Sequence, residues 1–148
     1  MPYHHLLVPS DGTERSEEAV RQAVALAGAL GARITFLHAR PNVPVPVLGM
    51  GEMLDPHTMD VLIEAGRKDS DRILDAAAAV ATEAGVPCGC ERVASDLPHQ
   101  AIVETAARLG CDLVVMASHG RGGLSGLLLG SETQRVLLQS KLPVLVVR

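Results

Sequence analysis

The chain has 148 residues, of which 47% are hydrophobic; this is enough to bury a core and excludes a disordered segment. A formal net charge of −4 lacks the basic footprint of a nucleic-acid binder, and an aromatic content of 1% leaves no platform for stacking bases. No apolar run is long enough to cross a bilayer, and three cysteines suit a reducing cytoplasm better than a disulfide scaffold.

The opening Met1-Pro2-Tyr3-His4-His5 has no charged stretch leading into a long apolar one, so no signal peptide is expected. Residues 4–8 form a short apolar run closed by Pro9 and are expected to be the first strand. Thr13 is placed to cap a helix over residues 14–30, with Glu17 and Glu18 in its early turns and Gly31 as its stop. Val20, Ala23, Val24, Ala27 and Leu30 recur at helical spacing on one face. Residues 34–39 read as the second strand.

Residues 41–55 carry Pro41, Pro44, Pro46, Gly49 and Gly51, which break both helix and strand. This loop is unusually apolar, so it is expected to cover a crevice or to join a subunit contact. A long helix over residues 56–84 follows, with Met59, Leu62, Ile63, Gly66, Ile73, Leu74, Ala77 and Val80 as its inner face and Gly85 at its end. Residues 88–93 make the third strand. Pro98 opens the third helix, with Ile102, Ala106 and Leu109 turned inward. Residues 112–117 make the fourth strand, residues 131–139 the fourth helix and residues 143–147 the fifth strand. The last two strands are nearly continuous Val and Leu, the pattern of strands buried on both faces.

Strands that alternate with helices predict a single α/β domain over residues 1–148, a doubly wound five-stranded parallel sheet with helices on both faces. Right-handed crossovers give the order 3-2-1-4-5, which reverses between strands 1 and 4 and opens a crevice outside their carboxyl ends. Pro9, Ser10 and Asp11 follow strand 1 into that crevice. From the other side comes a glycine-rich loop, Ala117-Ser118-His119-Gly120-Arg121-Gly122-Gly123 onward to Gly130-Ser131-Glu132, which feeds the fourth helix. Free backbone N–H groups and a helix N-terminus in one place suit a phosphate. Asp11 is positioned for a ribose hydroxyl, and the backbone of Ala39, at the end of strand 2, for an adenine edge. Gly120, Gly130 and Ser131 are positioned for phosphates, with Arg121 as the loop's only basic residue; His119 is a further candidate for a phosphate and equally a candidate for a hydrogen bond to the backbone.

Each of these residues also has a plain structural use. The glycines serve any tight connector, and Asp11 serves a turn. Ser131 serves as the N-cap of the fourth helix, with Gln134 completing a capping box; a cap of this kind uses the side chain and leaves backbone N–H groups for a ligand. Cys88 and Cys90 share a strand face without further ligands nearby, which favours packing over metal binding, and Cys111 is expected to be a buried thiol. The glycine–lysine signature of a P-loop is missing, and no Ser/His/Asp or paired-carboxylate set has the spacing of catalytic machinery.

Over essentially its whole length the chain resembles the universal stress protein family. Nucleotide-binding members of that family carry Gly, two residues, Gly, nine residues, then Gly-Ser or Gly-Thr. Here the register runs Ala117, two residues, Gly120, nine residues, Gly130-Ser131. The family's Asp after strand 1 falls on Asp11, and its adenine-contacting backbone position falls on Ala39. Asp112-Leu113-Val114-Val115-Met116 and Pro143-Val144-Leu145-Val146-Val147 are typical flanking text. Two positions depart from the pattern. Ala117 replaces the first glycine and sets a methyl group near the ribose. Glu132 stands where a small apolar residue is common, and it adds a like charge if it points at the phosphates.

The resemblance implies a cytoplasmic stress-response module that binds ATP, with or without Mg²⁺, and hydrolyses it slowly or not at all. It also implies a homodimer. Strand 5 is a sheet edge in this order, yet Val144, Leu145, Val146 and Val147 leave neither face polar, so the edge invites pairing with a second copy. The alternative is a dimeric interaction or signalling protein of the same fold whose pocket is vestigial.

Overall fold

The computed structural model describes residues 3–42, 55–119 and 129–148. In chain order the elements are β1 (His5–Pro9), α1 (Glu14–Leu30), β2 (Arg33–Arg40), α2 (Pro56–Glu83), β3 (Cys88–Ala94), α3 (Pro98–Leu109), β4 (Leu113–Ala117), α4 (Ser131–Gln139) and β5 (Val144–Val147). The strands form one parallel sheet in the order β3-β2-β1-β4-β5, as the alternation of elements predicts. Most of the apolar loop expected at residues 41–55 lies outside the described residues, as do Gly120 and Arg121.

Two apolar cores flank the sheet. On one side Leu6, Val8, Ile34, Phe36 and Val115 meet α1, through Ala19, Val20, Ala23 and Ala27, and α2, through Leu74, Ala77 and Ala81. On the other side Leu7, Leu37, Val114 and Met116 meet Ile102 and Ala106 of α3 and Val136 of α4. The alternation of Leu6 and Leu7 between the two cores follows from the two-residue period of a strand.

Local signals set the helix ends. Thr13 accepts a hydrogen bond from the Ser16 N–H and starts α1, with Glu14 and Glu17 in the first turn; Gly31, at φ 68°, ends it. Asp55 caps α2 through the Thr58 N–H, followed by Pro56. Pro9, expected to close the first strand from outside, is its last member.

Two expectations are corrected. Leu62 and Ile63 are exposed, not part of the inner face of α2; burial begins at Ser70 and runs through Ile73, Leu74, Ala77 and Ala81. The helix is longer than the sheet beneath it: its 28 residues rise about 42 Å, against about 26 Å for the 8 residues of β2. And β5 is not buried on both faces: as an edge strand it buries Val147 but leaves Leu145 42% exposed.

The sheet also opens where the site was expected. Pairing of β1 with β2 runs through five residue pairs and that of β4 with β5 through four. Pairing of β1 with β4 covers only Leu6↔Leu113 and Leu7↔Val114. The two central strands therefore part toward their carboxyl ends, at the point where strand order reverses.

Candidate functional site

The crevice between β1 and β4 is framed by backbone. In β2 the odd-numbered residues turn their N–H and C=O toward β1: Arg33 N–H donates to His4 O, and Leu37 O accepts from Ser10 N–H. By that alternation Ala39 turns its backbone to the same side, two residues beyond the contact with Ser10. In β4 the even-numbered residues face β5, since Val114 N–H donates to Pro143 O and Ser118 N–H to Val147 O. Ala117 therefore turns its backbone toward the gap. Its methyl is packed into the α1/α2-side core.

The turn after β1 is held by side chains. Asp11 N–H donates to Ser16 Oγ, and Ser16 Oγ–H donates to the buried Ser10 Oγ. Asp11 Oδ1 accepts from the N–H and the hydroxyl of Thr13, at 3.0 and 2.6 Å. This is an Asx turn, and it fixes the half-buried carboxylate at the crevice end of α1.

On the opposite wall the chain leaves β4 at Ser118 and returns to it at Gly130. Gly130 N–H donates to Ser118 O at 2.7 Å, and Thr133 Oγ–H reaches Ala117 O and Ser118 O at 3.0 and 3.1 Å. The neck of the glycine loop is thus closed by hydrogen bonds. A Cβ on Gly130 would stand 3.3 Å from both His119 Cα and Ser118 O, so any side chain there would crowd the two closely approaching backbones.

Gly130, not Ser131, is the N-cap of α4. Its φ of −69° and ψ of 159° are those of a cap, its carbonyl accepts from Gln134 N–H, and among the described residues no side-chain cap hydrogen bond is made at this end of the helix. Ser131 is the first helical residue, and Gln134 Nε2 donates to Leu129 O instead of completing a capping box. The N–H groups of Ser131, Glu132 and Thr133 consequently have no intrahelical acceptor, and the helix presents its positive end without a side-chain cap.

Glu132 turns away from these groups. Its Oε2 accepts from both the N–H and Nδ1 of His99, and its Oε1 accepts from Arg135. Burial pushes its carboxyl up, but the hydrogen bonds from the ring and backbone of His99 and from Arg135 outweigh that and hold it below its ordinary value. The backbone N–H of Glu132 remains at the head of α4, while its charge is spent on the start of α3.

His119 lies beside that helix head, only 6% exposed. Its Nδ1 stands 2.6 Å from Arg15 Nη1 and 3.2 Å from Ser118 Oγ. A guanidinium only donates, so Nδ1 accepts and the ring proton sits on Nε2. Nε2 has no hydrogen-bond partner among the described residues. Arg15 is the site residue that the sequence did not flag; it stands 104 positions from its partner, and no spacing marks the pair.

Pro9, Ser10 and Asp11 thus stand at the carboxyl end of β1, Ala39 at that of β2, and Ala117 and His119 at that of β4, where Gly130 brings in the head of α4 with Ser131 and the backbone of Glu132. Elsewhere, all three cysteines are thiols, and burial pushes Cys111 up to about 11. Among the described residues no cluster of His, Cys, Asp and Glu forms a metal site, and no helix is long and apolar enough to cross a membrane.

The model of the universal stress protein family matches residues 2–148. A universal stress protein of Methanocaldococcus jannaschii is 32% identical over 149 residues, covering 99% of this chain and 82% of the relative. The universal stress protein YxiE of Bacillus subtilis is 32% identical over 148 residues, covering 99% of both. A solved universal stress protein in complex with cAMP superposes with a TM-score of 0.74 at 29% identity, covering 100% of this chain and 99% of that one.

Proposed function

The chain belongs to the universal stress protein family, and on that premise we propose that it is a cytoplasmic stress-response module that binds an adenine nucleotide between β1 and β4. The observation that carries this reading is the uncapped head of α4, held beside Gly130 where the two central strands part. Three backbone N–H groups and a helix dipole there suit the phosphates. A glycine that a Cβ would crowd and a buried imidazole N–H without a partner among the described residues are what a phosphate cradle needs. Asp11 takes the ribose, and the Ala39 backbone takes the adenine edge. The cAMP complex of a related universal stress protein supports the choice of an adenine nucleotide.

ATP, accompanied by Mg²⁺, is the proposed ligand. Hydrolysis is slow or absent in this reading. His119 presents a proton and not a lone pair on the side of α4, so it donates to a phosphate and does not activate water. Mass spectrometry of nucleotide released from the purified protein tests the proposal. An adenine nucleotide in stoichiometric amount supports it, and a ligand of another class overturns it.

The module acts as a homodimer through β5. Pro143 and Val147 turn their carbonyls to β4, so by alternation Val144 and Val146 turn their N–H and C=O to the open edge. A two-fold axis through Leu145 brings Val144 of one copy opposite Val146 of the other. The pairing closes after one partner, as a two-fold contact does.

A further inference from the structure

Arg15 is the second residue of α1, a helix whose first turn otherwise carries Glu14 and Glu17. Its side chain crosses to β4's end of the crevice and donates to His119 Nδ1 at 2.6 Å. The contact decides where the imidazole proton lies. A hydroxyl such as that of Ser118 either donates to or accepts from a ring nitrogen, whereas a guanidinium only donates. With Arg15 in place the ring is held with its hydrogen on Nε2.

That hydrogen is buried and unmatched among the described residues. Buried donors normally have partners, and a bound acceptor is one explanation of an exception. The ring edge next to it is Cδ2, which lies 3.7 Å from where a Cβ on Gly130 would stand. The orphan donor is therefore beside the uncapped head of α4, and the acceptor that both would share is an anionic oxygen.

We infer that Arg15 is a positioning residue of the nucleotide site: it locks His119 in the Nε2–H tautomer so that the imidazole donates to a phosphate oxygen held at the N-terminus of α4. The inference rests on the nucleotide reading above. Arg15 adds a fixed positive charge on the same ring, which makes the site discriminate nucleotides from nucleosides.

The test compares the parent protein with Arg15→Ala and Arg15→Lys by nitrogen-15 NMR of the imidazoles at about pH 8.5, where an ordinary histidine is neutral. His119→Gln assigns the His119 signals. Each protein is also titrated with ATP and with adenosine. In the parent, His119 should show the Nε2–H tautomer alone, and its Nε2 signal should move on adding ATP but not adenosine. Arg15→Ala should give a mixture of tautomers and bind ATP about tenfold more weakly, with adenosine affinity unchanged. Arg15→Lys, which keeps a donor, should restore the single tautomer at least in part. A single unchanged tautomer in Arg15→Ala, or an equal loss for ATP and adenosine, overturns the role of Arg15 and leaves the nucleotide reading standing. A parent protein that binds neither ligand overturns the nucleotide reading, and this inference with it.

Discussion

The carboxylate of Glu132 accepts two hydrogen bonds from His99, one from the backbone N–H and one from ring Nδ1, each at 2.9 Å. Through them α4 caps the start of α3, whose own N-cap position, Leu97, offers no side-chain hydrogen bond. The acidic residue that threatened to repel phosphates is thus a structural link between two helices.

Glu132→Val should therefore leave nucleotide affinity unchanged and lower stability by about 1 kcal/mol, a modest value because the side chain is 36% exposed and partly screened. The sign of the pH effect follows from the lowered carboxyl. Its contribution is present above the ordinary value of 4.5 and is lost as pH falls through the folded-state value. The stability gap between parent and variant should be widest near neutrality and shrink in acid. Urea melts at several pH values measure it, and tighter ATP binding by the variant would put the carboxylate back at the phosphates.

At the neck of the glycine loop, substitutions should separate packing from capping. Gly130→Val places a side chain 3.3 Å from the Ser118 and His119 backbone, so nucleotide binding should be lost, with a stability cost of about 1–3 kcal/mol. Thr133→Val removes the hydroxyl that holds Ala117 O and Ser118 O and should cost about 1–2 kcal/mol. Ser131→Ala should cost less than the roughly 1 kcal/mol of a lost cap, because Ser131 is exposed and caps nothing. Thermal denaturation of the three variants checks the ranking; a Ser131→Ala loss equal to that of Thr133→Val would restore Ser131 as the cap.

Much of this architecture was legible from local pattern. Alternating strands and helices, with handed crossovers, were enough for the sheet order, and Thr13, Gly31 and Gly85 marked helix ends through chemistry confined to a few residues. What was not legible depends on distant chain. Helical spacing tells which residues of α2 share a face, but not where the sheet beneath it stops, and Leu62 and Ile63 lie on that face yet are exposed. The serine signal puts the cap of α4 one residue late because it is local, whereas Gly130 is held in the cap position beside Ser118 by a contact from distant chain. Arg15 with His119 and Glu132 with His99 are pairs made by the fold, and no sequence spacing announces them.

The thiol of Cys111 should be inert in the folded protein. Burial, with Asp112 beside it, raises it to about 11, and the residue is only 5% exposed. Alkylation with iodoacetamide at neutral pH should spare Cys111 until the protein is unfolded. Rapid labelling of Cys111 under native conditions would contradict the packing described for α3 and β4.

Val146→Pro should break the dimer while sparing the sheet. The N–H it removes faces the open edge and not β4, so the pairing of β5 with β4 loses nothing. Light scattering should report dimers for the parent and monomers or aggregates for the variant. A parent that stays monomeric at high concentration refutes the β5 contact.

Calorimetric titration of ATP with Mg²⁺ into the parent protein bears most directly on the central claim, that the parting of β1 and β4 makes an adenine-nucleotide site. The account predicts saturable heat at one site per chain, with a Kd in the micromolar range or weaker, and loss of that heat in Gly130→Val. No heat and no thermal shift at millimolar ATP would contradict it and leave a protein of the same fold whose crevice holds no nucleotide.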